Sequence, residues 1–359
     1  MPRPITAIID LPALAHNLSV ARAHAPHAKV FAVIKANAYG HGLLRAAQAL
    51  RAADGFAVVE FDAAVRLRDA GFAQRILLLE GFFDEHEMVE GVARKISGVV
   101  HQRGQITLLD GLPAGSRLDV LLKVNSGMNR LGFAPEEVRK TYAALQDCAG
   151  VGKVTLMTHF ANADDARGVD WQMEAFERAA AGIAAPRSLA NSAATLRYPH
   201  THFDWVRPGI MLYGSSPFAE VSAEALGLKP VMTLRSEIIG TCELKPGDSV
   251  GYGGMFRAER PMRIGIVACG YADGYPSHAP NGTPVRVGDR LSGTVGRVSM
   301  DKLCVDISAL PGAGVGTPVV LWGEGNPVDD VAQAAGTVSY ELMCALAARV
   351  PVIEKTEVR

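Results

Sequence analysis

The fold prediction rests on one stretch, Val30-Phe31-Ala32-Val33-Ile34-Lys35. Its first five residues form a short apolar run rich in β-branched side chains, which is typical of a buried parallel strand. A polar residue ends the run, and an Ala/Leu-rich segment with helical spacing follows over residues 43–50. The stretch therefore predicts one strand-helix unit of an α/β fold.

Seven further apolar runs repeat this pattern before residue 228, roughly every 20–35 residues. Together the eight runs lie at residues 30–34, 56–59, 76–79, 96–100, 118–122, 154–158, 188–190 and 203–206. Eight parallel strands with intervening helices predict a closed (β/α)8 barrel. The last two runs have weak strand propensity, so an open doubly wound sheet is the alternative.

Each predicted strand ends in a polar residue. The eight are Lys35, Glu60, Glu80, His101, Lys123, His159, Asn191 and Arg207. Ordinary strand ends would carry mixed turn residues, whereas two lysines, two histidines and an arginine are a more reactive set. In a barrel these residues ring the carboxyl-terminal mouth, where active sites of such folds lie.

After residue 228 the pattern changes to dense Gly/Pro turns between short strands, which predicts a mainly-β domain. We expect strands at 232–239, 263–269, 284–287, 297–305 and 318–322, then helices at 329–335 and 340–348. The predicted domains are thus a barrel over residues 1–228 and a β domain over 229–359. Residues 5–9 precede a helix that begins near Asp10, and this segment (within residues 1–10) is a candidate strand that pairs with the β domain.

Composition excludes several classes of function. The chain of 359 residues carries 36 Lys+Arg and 37 Asp+Glu, a net charge of −1, so it offers no basic field to nucleic acid. No apolar run is long enough to span a membrane, and no signal peptide is apparent. The five cysteines are odd in number, stand in apolar surroundings and form no Cys-x-x-Cys, which favours buried free thiols in a reducing cytoplasm. No spacing of His or Cys predicts a metal site.

Two features of the predicted mouth favour a phosphorylated cofactor. Lys35 is the residue type that forms Schiff bases, and the glycines at 40 and 42 let backbone approach a ligand. Barrels bind phosphate with the loops after strands seven and eight, which here carry Ser192 and Gly209. Ser192 is either a phosphate contact or a helix cap. The combination favours pyridoxal phosphate (PLP), and a cofactor-free sugar-phosphate aldolase is the alternative.

Long motifs then indicate a family. Two of them read Ala36-Asn37-Ala38-Tyr39-Gly40-His41-Gly42 and Gly251-Tyr252-Gly253-Gly254, and others lie at 123–133, 158–161, 191–193, 206–210, 270–275 and 298–301. In this order they resemble the alanine racemases over essentially the whole chain, most densely the catabolic bacterial type. The resemblance implies a PLP-dependent homodimer of fold type III that interconverts L- and D-alanine.

The resemblance also implies a two-base mechanism on a PLP aldimine. Lys35 would hold the cofactor and act as the base for D-alanine, and Tyr252 of the partner subunit would act as the base for L-alanine. A tyrosine is a weak base at neutral pH. A hydrogen-bonded chain from Tyr252 through His159 to Arg207 would assist it.

The other implied roles concern cofactor and substrate binding. The cofactor contacts would be Tyr39, Ser192, Arg207, Gly209, Ile210 and Tyr340, and the substrate contacts Arg130, Met300 and Tyr271. Lys123 would be carbamylated, because an anion there pairs with Arg130, whereas two buried cations would repel each other. The D-alanine formed or consumed would belong to cell-wall-related metabolism, as supply of a peptidoglycan precursor or as breakdown.

Two other kinds of PLP protein share part of this pattern. A non-catalytic PLP-binding homeostasis protein has a similar barrel and lysine but no β domain, and so no counterpart of Tyr252. A PLP decarboxylase of the same two-domain fold would carry a different glycine-rich phosphate loop and an essential cysteine near its carboxyl-terminal motif. Neither of those features is found in this sequence.

Overall fold

A computed structural model describes residues 3–356, so the ends of the predicted domain ranges, residues 1–2 and 357–359, lie outside the described residues. Strand β1 (Thr6–Asp10) precedes the barrel and belongs to another sheet. The next eight strands close into a parallel barrel in chain order. They are β2 (Lys29–Val33), β3 (Gly55–Val58), β4 (Arg75–Leu78), β5 (Ile96–Val100), β6 (Leu118–Lys123), β7 (Val151–Met157), β8 (Arg187–Ser188) and β9 (Trp205–Val206). The predicted barrel is confirmed and the open sheet is wrong, because β2 pairs with both β3 and β9.

Helices surround the barrel and leave its strands buried. Strands β3 and β5 are buried at every residue, as expected when both faces of a parallel sheet are covered. The barrel helices are Leu11–His24, Leu43–Ala49, Phe61–Asp69, Glu85–Ala93, Arg103–Asp110, Pro135–Asp147, Asp170–Ala180 and Ser192–Arg197, with 3-10 turns at Pro199–Thr201 and Ile210–Tyr213. The first helix starts as predicted, since the Asp10 carboxylate accepts a hydrogen bond from the Ala13 N–H at 2.9 Å.

Large side chains fill the amino-terminal end of the barrel. The rings of Phe31 and Trp205 stack with centroids 4.0 Å apart, and the Arg75 guanidinium lies over both. This end is therefore packed, and the opposite end is where a ligand can enter.

The second domain is mainly β, as predicted. Its strands are β10 (Met232–Leu244), β11 (Ser249–Val250), β12 (Phe256–Arg257), β13 (Met262–Val267), β14 (Pro284–Val287), β15 (Arg290–Val295), β16 (Leu303–Asp306), β17 (Pro318–Trp322) and β18 (Val352–Lys355). Two helices, Val328–Ala334 and Ser339–Cys344, and 3-10 turns at Tyr252–Gly254 and Tyr271–Asp273 complete it. Within the described residues, its main sheet has the order β13-β16-β15-β14-β17-β10-β1-β18.

One predicted strand of this domain is largely wrong. Residues 297–302 form a loop, and the strand begins only at Leu303. The prediction also missed the short strands β11, β12 and β18 and the longer strand β15. Strand β15 pairs with β14 through a turn of Gly288 and Asp289. Gly288 has a φ of +60°, a conformation that glycine adopts readily and that suits a tight hairpin.

Strand β1 joins the two ends of the chain to the β domain. It pairs antiparallel with β10 and parallel with β18, so it lies between a strand that starts at residue 232 and one that ends at residue 355. The chain then crosses directly from β1 into the first barrel helix. The barrel and the β sheet are thus connected twice, between β1 and the first helix and again over residues 214–231.

The cysteines differ from the expected pattern of buried thiols. All five are free, and Cys148 and Cys269 are buried, but Cys242 and Cys344 are exposed. Cys242 lies in the outer part of β10, where several consecutive residues face solvent. In the part of the chain that the structure describes, no helix is long and apolar enough to cross a membrane, and no group of three His, Cys, Asp or Glu side chains could hold a metal ion.

Candidate active site

A cavity of about 610 Å³ opens at the carboxyl-terminal mouth of the barrel. Six of the eight predicted strand-end residues line it, namely Lys35, Glu80, Lys123, His159, Asn191 and Arg207. The other two do not. Glu60 is exposed at the start of a helix, and the His101 ring contacts the Glu80 carbonyl oxygen at 3.1 Å behind the cavity wall.

Lys35 enters the cavity from an unusual turn. The four residues after it, Ala36 to Tyr39, have φ angles of 51°, 52°, 55° and 52°, so they form a left-handed helical turn that Gly40 ends with a φ of +80°. Left-handed helix costs about 1–2 kcal/mol per residue for residues with a Cβ. Backbone strain of this kind persists only where surrounding contacts hold it.

Several contacts hold this turn. The Ala38 N–H donates to the Ile34 carbonyl at 3.0 Å, and the Asn37 side chain accepts from the Leu43 N–H at 2.9 Å. Nδ1 of the buried His41 lies 3.0 Å from the Ala38 carbonyl and 2.9 Å from that of Tyr39, so this nitrogen carries the proton and donates. Burial lowers the pKa of His41 to about 4, so the ring is neutral. The turn places Lys35 and Tyr39 on the same cavity wall.

The loops after β8 and β9 meet through Ser192. Its hydroxyl oxygen accepts the Gly209 N–H at 2.8 Å and the Met211 N–H at 3.4 Å. Ser192 is not the helix cap, because Asn191 takes that position and accepts from the Ala194 N–H at 3.0 Å. The Ser192 hydroxyl proton is left to donate, and the Ile210 N–H has no hydrogen bond within the described residues.

Tyr39 lies directly above this loop. A Cβ added to Gly209 would stand 2.7 Å from the Tyr39 hydroxyl oxygen, so glycine is required by the close approach. The Tyr39 ring stacks on that of Tyr213 at 4.5 Å and lies 5.9 Å from that of Tyr340. Burial raises the pKa of both Tyr39 and Tyr340 above the ordinary tyrosine value, so both hydroxyls stay protonated and donate.

Arg207 is buried at the mouth and has no carboxylate partner among the described residues. One terminal nitrogen donates to the Ser188 carbonyl and hydroxyl, both at 2.6 Å. The other donates to the Thr158 carbonyl at 2.6 Å and to the Leu189 carbonyl at 3.1 Å. Burial lowers its pKa to about 9, so it remains a cation at neutral pH. Its Nε makes no hydrogen bond to the described residues and is left for the cavity.

Within the described residues, His159 and Arg207 do not form the predicted hydrogen bond with each other. Both terminal nitrogens of Arg207 are engaged by backbone carbonyls and the Ser188 hydroxyl, which leaves none for the His159 ring. The two side chains still interact electrostatically. The pKa of His159 is held well below its usual range, so the imidazole is neutral. Burial is the largest cause, followed by the charges of Arg207, Lys123, Arg130 and Lys35.

Lys123 belongs to the same group of cations. Burial, together with the charges of Arg207 and Arg130, lowers its pKa to about 8, and Glu80 opposes the shift. A substantial fraction of the amine is therefore neutral near pH 8. Arg130 also lines the cavity, so three cations besides Lys35 face the same space.

Three predicted residues lie outside this cavity. Tyr252 is 72% exposed, Tyr271 44% and Met300 53%, all on loops of the β domain. None of them lines the cavity of its own chain. The structure thus brings together Lys35, Tyr39, Lys123, Arg130, His159, Ser192, Arg207, Gly209, Ile210 and Tyr340, and separates them from the other three.

The donor set suits an aldehyde that carries a phosphate. Lys35 supplies a primary amine, and the hydroxyls of Tyr39, Ser192 and Tyr340 with the Ile210 N–H supply neutral donors on one wall. The space between Gly209 and Tyr39, called the phosphate cradle below, can admit a phosphate only because Gly209 has no side chain.

Comparison with known proteins identifies the family. The model for the alanine racemase N-terminal domain matches residues 9–217, and that for the C-terminal domain matches residues 231–354. The chain belongs to the alanine racemase family. The alanine racemases are PLP-dependent isomerases, and the predicted family, cofactor and enzyme class are confirmed.

Individual alanine racemases match over nearly the full chain. That of Nitrosospira multiformis is 58% identical over 352 residues, which are 97% of this chain and 99% of the relative. The crystal structure of the biosynthetic alanine racemase from Pseudomonas aeruginosa has a TM-score of 0.96 at 48% identity and covers 99% of this chain and 100% of its own. The alanine racemase of Acinetobacter baumannii has a TM-score of 0.93 at 40% identity, over 98% of this chain and 100% of its own.

Sequence reasoning missed three residues of this alanine racemase site. Tyr213 supports the Tyr39 ring, His41 holds the left-handed turn, and Asp164 lines the cavity. Tyr213 follows the predicted phosphate loop by three residues, which was the one available signal. His41 lies in the motif over residues 36–42, but the motif alone does not indicate that its ring holds the turn.

Proposed function

We propose that this alanine racemase uses two bases from two subunits, Lys35 of one chain and Tyr252 of the partner subunit. The observation that carries the proposal is the division of the site. One chain places Lys35 in the cavity, whereas Tyr252, Tyr271 and Met300 are exposed on the β domain away from it. A two-fold homodimer lets each β domain complete the cavity of its partner.

Bound PLP supplies the electron sink that makes the α-carbon of alanine acidic. Lys35 is the residue that would hold it, and Tyr39, Ser192, Tyr340 and the backbone of Gly209 and Ile210 would bind its phosphate. Arg207 would face its ring as a fixed cation that donates and does not accept a proton.

Lys35 is proposed to exchange the α-proton of D-alanine, and Tyr252 of the partner subunit that of L-alanine. The other candidates in the cavity are poorly suited to accept a proton. Tyr39 and Tyr340 stay protonated because burial raises their pKa. His159 resists protonation because burial, and then the charges of four nearby cations, hold its pKa well below the usual range. The neutral His159 can instead accept a hydrogen bond from Tyr252.

Arg130 is proposed to bind the substrate carboxylate with the Met300 N–H of the partner subunit, and Tyr271 to narrow the entrance. A guanidinium matches a carboxylate in geometry and charge. A narrow entrance favours the methyl side chain of alanine, although one extra methylene is discriminated by only about 1–3 kcal/mol.

Lys123 is proposed to react with CO2. The neutral Nζ attacks the carbon of CO2, a C–N bond forms, and one proton leaves to solvent. The side chain then changes from a cation to an anion. Burial favours this step, because it lowers the pKa of the amine to about 8. The carbamate would pair with Arg130 and relieve the repulsion among the cations of the mouth.

We also propose that the enzyme acts in a reducing compartment, the cytoplasm, since its five cysteines are free. Supply and breakdown of D-alanine are both compatible with a racemase, because one catalyst accelerates both directions. The resemblance to the catabolic type stays a prediction.

Complementation between inactive variants tests the shared site. Lys35→Ala and Tyr252→Phe are prepared separately with PLP, mixed in equal amounts, and allowed to exchange subunits. Half of the dimers are then mixed, and each mixed dimer has one site with both bases, so about a quarter of the wild-type activity should return. D-alanine formed from L-alanine in heavy water, with deuterium at the α-carbon, is the readout.

If the mixture stays inactive although the dimers are shown to exchange subunits, the proposal is wrong. If Tyr252 served its own chain, every site in the mixture would lack one base. A matched control mixes Lys35→Ala with Lys35→Gln, two variants that cannot complement each other under either arrangement.

A further inference from the structure

Asp273 has the most heavily bonded buried carboxylate of the β domain in the described chain, and it has no role in the mechanism above. Its side chain is 0% exposed. One oxygen accepts from Arg3 at 2.6 Å and from Arg349 at 2.8 Å. The other accepts from Arg3 at 2.8 Å and from the Gly270 N–H at 2.9 Å. Three segments distant in sequence therefore meet at one carboxylate.

Electrostatics favours the charged form of this carboxylate. Burial by itself would raise the pKa of Asp273, but the hydrogen bonds from Arg3, Gly270 and Arg349 outweigh it and lower the pKa. Asp273 is therefore an anion at neutral pH, held by two arginines. Hydrogen bonds between charged groups are stronger and more directional than neutral ones.

The same two arginines bind the neighbouring loop. Arg3 donates to the Asp301 carbonyl at 2.6 Å, and Arg349 donates to the Asp301 carboxylate at 2.7 Å. Asp301 follows Met300, and Asp273 ends the 3-10 turn that begins at Tyr271. The cluster thus fixes both exposed loops that carry predicted substrate contacts.

Backbone contacts make the two loops one unit. The Tyr271 N–H donates to the Ser299 carbonyl at 3.1 Å, and the Ala272 N–H donates to the Met300 carbonyl at 3.0 Å. A Cβ added to Gly270 would stand only 2.2 Å from the Ser299 carbonyl oxygen. A shift of the Asp273 turn must therefore move Met300 with it.

We infer that Asp273, clamped by Arg3 and Arg349, positions Tyr271 and the backbone of Met300, and that Arg3 thereby controls alanine binding in the active site of the partner subunit. This inference rests on the proposed function, in which those loops enter the partner's cavity. Arg3, Asp273 and Arg349 are positioning residues that do not themselves touch substrate. Arg3 lies before the first strand, so the amino-terminal segment becomes a determinant of substrate affinity.

The mixed dimer described above gives a matched test. Its single active site takes Lys35 from the Tyr252→Phe chain and the β-domain loops from the Lys35→Ala chain. Arg3→Ala is introduced into one chain or the other. In the Lys35→Ala chain it removes the three Arg3 hydrogen bonds of the cluster. There it should raise KM for L-alanine about tenfold, comparable to one hydrogen bond to a charged group, with kcat within about threefold. In the Tyr252→Phe chain the same substitution should leave KM unchanged.

Two further measurements separate positioning from general destabilisation. The inhibition constant of propionate, a carboxylate without the amine, should rise in parallel with KM. Arg3→Lys should restore part of the affinity, since an ammonium keeps the charge but loses the two-pronged geometry. Arg22→Ala is the stability control, because Arg22 has a similar exposure (38% against 33%) and pairs with Asp54 on the barrel.

Equal KM values for the two placements of Arg3→Ala overturn the inference, as does a rise in KM that follows a loss of dimer in sedimentation. Absence of activity before Arg3 is changed would instead overturn the shared site itself. The two failures are therefore distinguished within one set of samples.

Discussion

In the proposed function the barrel mouth and the loops of the β domain are the two halves of one site, and they differ in burial, charge and the contacts that hold them. The mouth is buried, rich in cations and complete within one chain, with Lys35, Lys123 and Arg207 around one cavity. The β-domain residues Tyr252 and Met300 are exposed and do not line that cavity in their own chain. In the proposed function the mouth binds the cofactor within one chain, and the second base comes from the partner subunit.

The difference also concerns how each half is held. The mouth is held by burial and by backbone donors and acceptors around Ser192 and Arg207. The β-domain loops near Tyr271 are held by a charged cluster centred on Asp273. We therefore expect substitutions in the mouth to affect cofactor binding first, and substitutions in the loops to affect substrate first.

The largest expected effect separates the two bases. Lys35→Ala should abolish both racemisation and exchange of the α-proton, whereas Tyr252→Phe should lose racemisation by about 10²–10⁴-fold and still exchange the proton of D-alanine. Chirality and deuteration are followed together in heavy water. Equal loss of exchange in both variants would contradict the division of labour between the halves.

A smaller effect is expected from crowding the phosphate cradle. Gly209→Ala places a Cβ 2.7 Å from the Tyr39 hydroxyl oxygen, so PLP affinity should fall about 10–100-fold. The absorbance of bound cofactor titrated against free PLP measures this. Gly312→Ala is the control, since nothing lies within 4 Å of a Cβ at that position. Unchanged PLP affinity in Gly209→Ala would remove the cradle from the cofactor site.

Substitution of Lys123 should have a smaller effect on activity than the loss of either base. Lys123→Ala should lower activity roughly tenfold, and acetate should restore part of it by supplying an anion beside Arg130. Intact mass in bicarbonate should show the wild-type chain heavier by one CO2, more completely at pH 9 than at pH 7, because the pKa of the amine is about 8. An unmodified mass at both pH values, with no rescue by acetate, would leave Lys123 as a plain cation.

The smallest effect concerns the free energy of unfolding, to which His41 contributes below the turn that follows Lys35. The pKa of His41 is about 4 when folded and near 6.5 when unfolded, so the unfolded chain gains a proton first as pH falls. His41 should therefore contribute stability above pH 6.5 that is lost progressively towards pH 4. His41→Asn should flatten that fall by about 2–3 kcal/mol in urea unfolding. The exposed His27→Asn is the control, and an identical pH profile for His41→Asn would contradict the neutral, buried ring.

Much of the barrel could be predicted because its strands are apolar runs that end in polar residues. Even β8 and β9, two residues each, were located despite weak propensity, since the preceding units set the spacing. The division near residue 228 stays a prediction, because β1 at the start of the chain pairs with β10. Strand β15 was missed, since its residues look like turn sequence and its pairing with β14 decides it.

The site was predicted unevenly for a physical reason. Strand-end residues such as Lys123 and His159 follow from the register of the barrel, so sequence can locate them. The left-handed turn after Lys35 depends on the hydrogen bonds that His41 donates and that the Asn37 side chain accepts, and no local propensity favours a run of such residues. The Arg3–Asp273 contact joins residues 270 positions apart, which only the folded chain reveals.

The place of β1 between β10 and β18 has a consequence for synthesis of the protein. Its residues are made long before those of its two neighbours, since β10 begins at residue 232 and β18 at residue 352. At about 5–20 residues per second, β1 waits roughly 10–45 s for its first neighbour. During that time an apolar strand has no sheet to join, which is the situation in which nascent chains recruit chaperones or aggregate. Slow synthesis or truncation near the carboxyl terminus should therefore lower the yield of folded enzyme more than the small size of β18 suggests.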